Sequence, residues 1–571
     1  MTYDPATEDF VWLLRHVTAL RPHGDFDIDT VAQVLEEAAR LAAGAVAPIA
    51  EESDRVGSKL ENGRVVTPPM WKDAYAAWNA AGWQGLALPE EHGGMGAPFP
   101  VQAALTAMLA GTDLSFAMLL GGSRAGAALI AAHAGEDMKA LALPKLASGE
   151  WAATIAMTEA QAGTDAGLIQ TRAKPLGEGK YALSGSKIFI SNGDQDLTEQ
   201  TLHITLARIE GAEGGTRGLS LFVVPMWKMD GDGAPGAANG VWVSALEEKM
   251  GLHGSPTSVL NFDKAEGVLI GPEHSGLPLL FTMLNEMRLD VGLSAVGLAA
   301  SAVAHARAYA AERMQGRGPD GKGPVAIENH PDVQRMLSLM AALTESGRAL
   351  AMEAARLIDL AEEGDGTAAA LAALLTPVCK AALSDQAFAV ASLGVQVMGG
   401  HGYVVESGAE RFLRDSRVLA LYEGANGVQA IDLAVRKVQK DGGAALGALT
   451  AAMRADLERL DRRKDLAAVH SAAASAVAEL EGACHALIAA ETGGAGALAA
   501  AYPFLELTAH ACQTWMWLRM AGADAPDDAV LARKRALADF WAGYFGHAAE
   551  GHYARVRAAA ANPEMYRAAL S

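Results

Sequence analysis

The spacing of apolar positions changes its period along the chain. In DTVAQVLEEAARLAAGAVAPIAEESDR, which starts at residue 29, apolar residues fall three and four apart, the period of one helix face. A Pro- and Gly-rich break, LALPEEHGGMGAPFP, interrupts this pattern. It resumes in PVQAALTAMLAGTDLSFAMLLGGSRAGAALIAAHAG. From residue 151 the runs become short and β-rich, divided by Gly-containing turns: WAATIAM, KYALSGSKIFISNG, LHITLARI, GLSLFVVPMW and TSVLNFDKAEGVLIG. They predict a compact antiparallel domain ending near 272. Long helical periods return near 277, as in EMRLDVGLSAVGLAASAVAHARAYAAERM, and Ala-rich amphipathic helices follow DGGAALG at 441–447.

The predicted fold is mainly α with a central antiparallel β-domain. Its expected parts are an N-terminal extension (1–34), a helical domain (35–150), the β-domain (151–272), a second helical domain (273–440) and a further helical domain (441–571).

Composition narrows the class. A chain of 571 residues exceeds one simple core. Apolar residues at 51% and charged residues at 20% fit a folded soluble enzyme. Much of the apolar content is alanine and aromatics are only 6%, which favours closely packed helices. A net charge of −21 and a pI near 5.2 disfavour nucleic acid and anionic membranes as partners. An anionic cofactor still fits, since helix N-termini and single arginines hold phosphates. Cys379, Cys484 and Cys512 lack metal-ligand spacing and read as buried reduced thiols. The acidic start MTYDPATEDF is no signal peptide, and the uncharged stretches 93–112 and 386–405 are broken by Gly and Gln. The expectation is a cytoplasmic protein with no membrane span.

Several stretches carry chemistry. MTEAQAGTDAG, 157–167, follows a predicted strand and offers Thr158 and Thr164 among small residues; it also reads as a plain turn. In SGSKIFISNG, Phe189 stands two residues before Ser191 at a strand end. Arg313, in ERMQGR, either meets a phosphate or balances a helix C-terminus. QVMGGHGY leaves Gly399, Gly400 and Gly402 without side chains, as a ligand approach or a helix cap. Glu423 sits between Tyr422 and Gly424 where one apolar run ends and a helical period begins. A surface acid needs no such setting; a carboxylate held on a turn does, and taken alone it reads as structural rather than catalytic.

Together, MTEAQAGTD, KIFISNG, ERMQGR, QVMGGHGY, RDSRV and LYEG stand in the order found in the acyl-CoA dehydrogenase family, which residues 35–440 resemble. GLHGSPTSVLNFD, YEGANGVQAIDL and the long tail are most like the branch of 3-methylmercaptopropionyl-CoA dehydrogenases, of the dimethylsulfoniopropionate demethylation route, and broad-range bacterial acyl-CoA dehydrogenases.

The resemblance implies FAD and an acyl-CoA substrate, oxidised to a trans-2-enoyl-CoA. It implies Glu423 as the base that takes the α-proton while hydride passes to flavin. Met157 and Thr158 then meet the pyrimidine side of the flavin, Phe189 and Ser191 its other edge, and Thr164 lies near both flavin and acyl-CoA. Arg313, Gln396, Gly399 and Gly400 reach the FAD of the neighbouring subunit. Arg288 supports the catalytic loop. Tyr422 borders the substrate, and the Gly424 amide points at the thioester oxygen. Electron-transfer flavoprotein is the implied electron acceptor. In related long-tailed members the tail packs where a second pair of subunits would dock, so the tail implies a homodimer. Phe189 stands where the family often has Trp, and Ala425 where it often has Thr. An acyl-CoA oxidase and a DNA-binding family member with little dehydrogenase activity are the alternatives; the acidic charge speaks against the second.

Overall fold

The computed structural model describes residues 3–229, 233–318, 320–526 and 528–570. Two compact units form, one of residues 36–287 and one of residues 1–35 with 288–571. Helices Ile28–Leu41 and Gly276–Glu312 carry the chain from one to the other, so the edge expected at 34/35 falls inside a helix.

In unit 36–287, helices Phe99–Thr112 and Leu114–His133 are separated by one extended residue, Asp113. Its carboxylate accepts from the backbone N–H of Ser115 at 2.9 Å and Phe116 at 3.3 Å, capping the second helix. Seven strands follow in one sheet. Thr257–Ile270 pairs with Lys180–Ser191, which pairs with Arg172–Gly177, then Gln200–Ile209, then Leu219–Pro225, which pairs back with Thr257–Ile270. The sheet therefore closes on itself. Along Leu219–Pro225, Leu221 and Val223 enter one apolar cluster with Trp151, Leu202 and Leu129, while Phe222 and Val224 enter another with Tyr181, Leu260 and Phe262. That is the two-residue period of a strand buried on both faces.

Antiparallel pairing dominates, as the short runs predict. Gln200–Ile209 departs from it by lying parallel to both Trp151–Ala156 and Arg172–Gly177. Parallel neighbours need a crossover, and residues 157–199 supply it.

In the other unit, long helices Gly276–Glu312 (from Arg288), Pro331–Glu362 and Gly366–Met398 are followed by short helical turns up to Asn426–Ile431 and a π-helical segment, Asp432–Gln439. The tail helices are Ala444–Leu460, Ala467–Ala489, Ala495–Ala521, Ala529–Phe545 and Ala548–Ala561. Ala495–Ala521 buries Phe504, Cys512, Met516 and Trp517 and packs against Pro331–Glu362, Asn426–Ile431 and the π-helical segment. The tail thus shares a compact unit with 288–440 rather than standing apart. A buried ionic cluster fastens it: Lys534 Nζ lies 2.6 Å from Asp9 of the N-terminal helix Thr7–His16 and 2.7 Å from Glu345 of Pro331–Glu362. The three cysteines are free and buried.

Leu114–His133, Gly276–Glu312, Gly366–Met398 and Lys464–Ala489 are long and apolar enough to cross a membrane. Their most apolar windows are 72, 78, 72 and 44% buried within the protein.

Candidate active site

The chain around Glu423 folds as a sharp reversal. A 3-10 turn, Arg417–Ala420, precedes it and helix Asn426–Ile431 follows. Glu423 has φ 55° and Gly424 φ 86°, two successive left-handed residues. For a non-glycine residue this costs roughly 1–3 kcal/mol and needs outside support. Buried Gln429 gives it, donating through Nε2 to Glu423 O at 3.1 Å and Gly424 O at 3.4 Å. A Cβ at position 424 would lie 2.6 Å from that Nε2, so the turn requires glycine twice over. The backbone N–H groups of Glu423 and Gly424 donate to no described residue.

Glu423 is half-buried, and burial pushes its carboxyl up to about 7 against the opposing pull of Arg288 and then Lys380. Arg288 is buried near the start of its unit's first long helix, 3.8 Å from Asp432. Lys380 is fully buried, drawn down to about 8 by burial, and donates to Asn426 Oδ1 at 2.8 Å. Tyr422 is half-buried, and burial raises its phenol well above the usual range. Glu423, Arg288, Tyr422 and Gly424 therefore come together around this turn. Lys380, Asn426, Gln429 and Asp432 join them without having been singled out. Lys380 left one signal, a lone cation in the apolar run TPVCKAAL.

Elsewhere in that unit, Arg313, Gln396, Gly399 and Gly400 are all exposed. Arg313 directly follows helix Gly276–Glu312, and the Tyr309 ring one turn back lies 5.9 Å from the His401 ring, which places both loops at one corner. The Arg313 side chain has no partner among the described residues. Gly399 has φ 59°, and a Cβ on Gly399 or Gly400 would meet nothing within 4 Å. An unpaired guanidinium beside open backbone suits a phosphate-bearing ligand.

Unit 36–287 gathers the other residues. Met157 and Thr158 follow strand Trp151–Ala156, and Ile188 N–H donates to Thr158 O at 2.9 Å, which brings them beside Phe189. Phe189 has φ 58° at a bulge where pairing with Thr257–Ile270 slips, and its ring stays 59% exposed. Ser191 accepts at its carbonyl from Thr154 Oγ1 at 2.5 Å. The hydroxyls of Thr158, Thr164 and Ser191 have no partner among the described residues. Thr164 stands further off, on an exposed turn.

Beneath this surface lies an ion pair. Lys187, fully buried, donates to Glu159 Oε1 at 2.8 Å, Met157 O at 2.9 Å and Leu206 O at 2.9 Å. Glu159 also accepts from Gln170 N–H, Thr171 N–H and Thr171 Oγ1. Burial would raise Glu159, but Lys187 and these donors hold it at about 2. Neither residue stood out in the sequence, because a Glu and a Lys 28 positions apart read as surface charges. The same unit holds a cleft lined by Trp78, Trp83, Gln84, Gln102, Thr106 and Arg124, among others. Trp83 Nε1 and Gln102 Oε1 are buried without partners.

Comparison with known proteins supplies the family. Residues 29–150, 154–265 and 274–437 match the N-terminal, middle and C-terminal domains of acyl-CoA dehydrogenase, and 449–563 match the domain described as acetyl-CoA dehydrogenase C-terminal like. The 3-methylmercaptopropionyl-CoA dehydrogenase of Ruegeria pomeroyi is 39% identical over 563 residues, 95% of this chain and 96% of its own length. The broad-specificity linear acyl-CoA dehydrogenase FadE5 of Mycobacterium tuberculosis is 37% identical over 447 residues, 74% and 73% of the two chains. The structure of an acyl-CoA dehydrogenase complexed with FAD from Bacillus anthracis has the same fold, with a TM-score of 0.76 at 23% identity, covering 96% of this chain and 91% of that one. This chain belongs to the acyl-CoA dehydrogenase family and is an FAD-dependent oxidoreductase of that class.

Proposed function

We propose that the protein converts an acyl-CoA thioester to its trans-2-enoyl-CoA with Glu423 as the base. The observation that carries this reading is the Glu423 turn: a carboxylate in a left-handed conformation, its backbone held by Gln429, its charge opposed by burial and supported by Arg288 and Lys380. A base held near 7 is about half ionised at neutral pH and basic enough to take a reluctant proton. The free N–H groups of Glu423 and Gly424 suit the thioester oxygen, where negative charge develops as the α-proton leaves.

The residues present fit FAD. The exposed Phe189 ring, the partnerless Thr158, Thr164 and Ser191 hydroxyls and Met157 suit the flavin, and the Arg313 corner with Gln396, Gly399 and Gly400 suits the pyrophosphate of a neighbouring subunit's FAD. When bound, FAD supplies the two-electron acceptor for the hydrogen leaving the β-carbon. Electron-transfer flavoprotein as onward acceptor, a homodimer and a cytoplasmic location belong to the same reading.

For the acyl group we favour a short thioether-bearing chain. The support is the near full-length likeness to a relative named for 3-methylmercaptopropionyl-CoA. Turnover with an artificial electron acceptor on methylthiopropionyl-CoA and on straight-chain acyl-CoAs tests this. A higher kcat/KM on the thioether supports it, and a preference for long straight chains overturns it.

A further inference from the structure

Four side chains lead from the tail to the Glu423 turn. Tyr502, on tail helix Ala495–Ala521, donates its hydroxyl to Asp385 Oδ2. Asp385 Oδ1 accepts from Asn426 Nδ2 at 2.9 Å. Asn426 Oδ1 accepts from Lys380 Nζ at 2.8 Å. Asn426 is the first residue of the helix that follows Glu423, and both its amide ends are specified: oxygen toward the ammonium, nitrogen toward the carboxylate and Ala381 O at 3.1 Å. A flipped amide would set like against like at both ends.

Lys380 is anomalous as a structural residue. Its side chain is fully buried, its hydrogen bond is to a neutral amide, and its ammonium forms no ion pair within 4 Å among the described residues. Burying an ammonium without a contact ion is costly, and an apolar side chain of that length would fill the same space. Its hydrogen bond to Asn426 sets the ammonium at the helix start that directly follows the Glu423 turn, within electrostatic reach of the Glu423 carboxyl.

We propose that Lys380 is a positioning residue for Glu423, keeping its carboxylate ionised, and that the C-terminal extension holds Lys380 in place through Tyr502, Asp385 and Asn426. The proposal rests on Glu423 being the base. It makes the tail part of the scaffold of the catalytic turn as well as a packing element. A second tie runs alongside: Gln513 of the tail and Gln386 exchange amide hydrogen bonds at 2.8 Å.

The charged surroundings fix the sign. The charges within electrostatic reach are Arg288 and Lys380 for Glu423, Asp385 and Arg288 for Lys380, Asp290 for Tyr422, Asp432 and Arg436 for Arg288, and Asp385 and Glu506 for Tyr502. Removing the Lys380 charge leaves burial less opposed, so Glu423 takes up its proton at higher pH. The acid limb of flavin reduction must then move up.

The test is anaerobic stopped-flow reduction of bound FAD by acyl-CoA across pH, on full-length holoenzyme normalised to flavin. Lys380→Met should move the acid limb up by roughly one unit, making reduction about tenfold slower on that limb. Lys380→Arg should restore most of it. Tyr502→Phe should move the limb in the same direction by less, with FAD content and melting temperature near wild type. An unmoved limb in Tyr502→Phe overturns the role of the tail, and an unmoved limb in Lys380→Met overturns the proposal. Should Lys380→Met not fold, Tyr502→Phe and Asn426→Ser decide by the same limb. Glu423→Gln separates the two readings. If it reduces flavin normally, the base assignment fails; if it is inactive while the limb stays fixed in the other variants, only the present proposal fails.

Discussion

Replacing Lys187 by Met tests how the surface proposed to meet the flavin, on the β-domain, is held. Lys187 is fully buried and donates to one carboxylate and two backbone carbonyls. Methionine fills similar volume but donates nothing. Glu159, itself 5% exposed, is then left as a buried charge without its cation, and the Met157 and Leu206 carbonyls lose their donor. Breaking one side of a buried pair costs about 3–5 kcal/mol. The four remaining Glu159 donors, Gln161 Nε2, Gln170 N–H, Thr171 N–H and Thr171 Oγ1, place the expected loss toward the lower end, about 3 kcal/mol. Removing both charges with Lys187→Met/Glu159→Gln should recover much of it, giving a coupling of at least about 1 kcal/mol in a double-mutant cycle. The pH dependence follows from Glu159. Its carboxyl is held at about 2, below its ordinary 4.5, so the stability it contributes is complete above 4.5 and is lost as pH falls toward 2. The variant should lose that acid-sensitive component. The assay is denaturant unfolding followed by flavin fluorescence, at neutral pH and between 4.5 and 2. A loss below about 1 kcal/mol for the single variant, or simple additivity in the cycle, would refute the reasoning.

Three further outcomes are expected. Arg313→Ala should give protein depleted in FAD, read from the visible spectrum, because the unpaired guanidinium is the cation offered to the pyrophosphate; full, tightly held flavin would remove the assignment. Gly424→Ala should fold with a loss of about 1–2 kcal/mol and turn over about 10²-fold slower, since its Cβ meets Gln429 and displaces the base, measured by thermal unfolding and steady-state kinetics. Light scattering at micromolar concentration should give a dimer, with a tetramer as the contrary result.

The legible parts of this molecule were those written locally. The helix, strand, helix order followed from periods of 3.6 and 2; the Tyr–Glu–Gly joint drew notice as odd for a surface acid, and Glu423 gained a catalytic reading from its place among the other motifs in one order. Strand direction was not legible: alternation in LHITLARI shows which faces are buried, not that its neighbours run parallel. Phe189 was readable as an aromatic near a hydroxyl, but its left-handed backbone depends on a slip in register with residues about 70 positions away. Lys380 and Asn426 meet across 46 positions, and Lys187 and Glu159 across 28. Such contacts belong to tertiary packing. Their trace in sequence is a charge inside an apolar run, visible at Lys380 and absent at Glu159. The role of the tail was hidden likewise, since its stripe said that a face is buried and not against what.

The most direct measurement is anaerobic reduction of bound FAD by acyl-CoA in Glu423→Gln, normalised to flavin. Glutamine keeps the size and most hydrogen bonding of Glu423 and removes its basicity. Folding, FAD binding and acyl-CoA binding need no negative charge at that position, so the variant should retain all three. Its flavin bleaching should fall by about 10²–10⁴-fold. Reduction within about tenfold of wild type would contradict the account and remove Glu423 as the base.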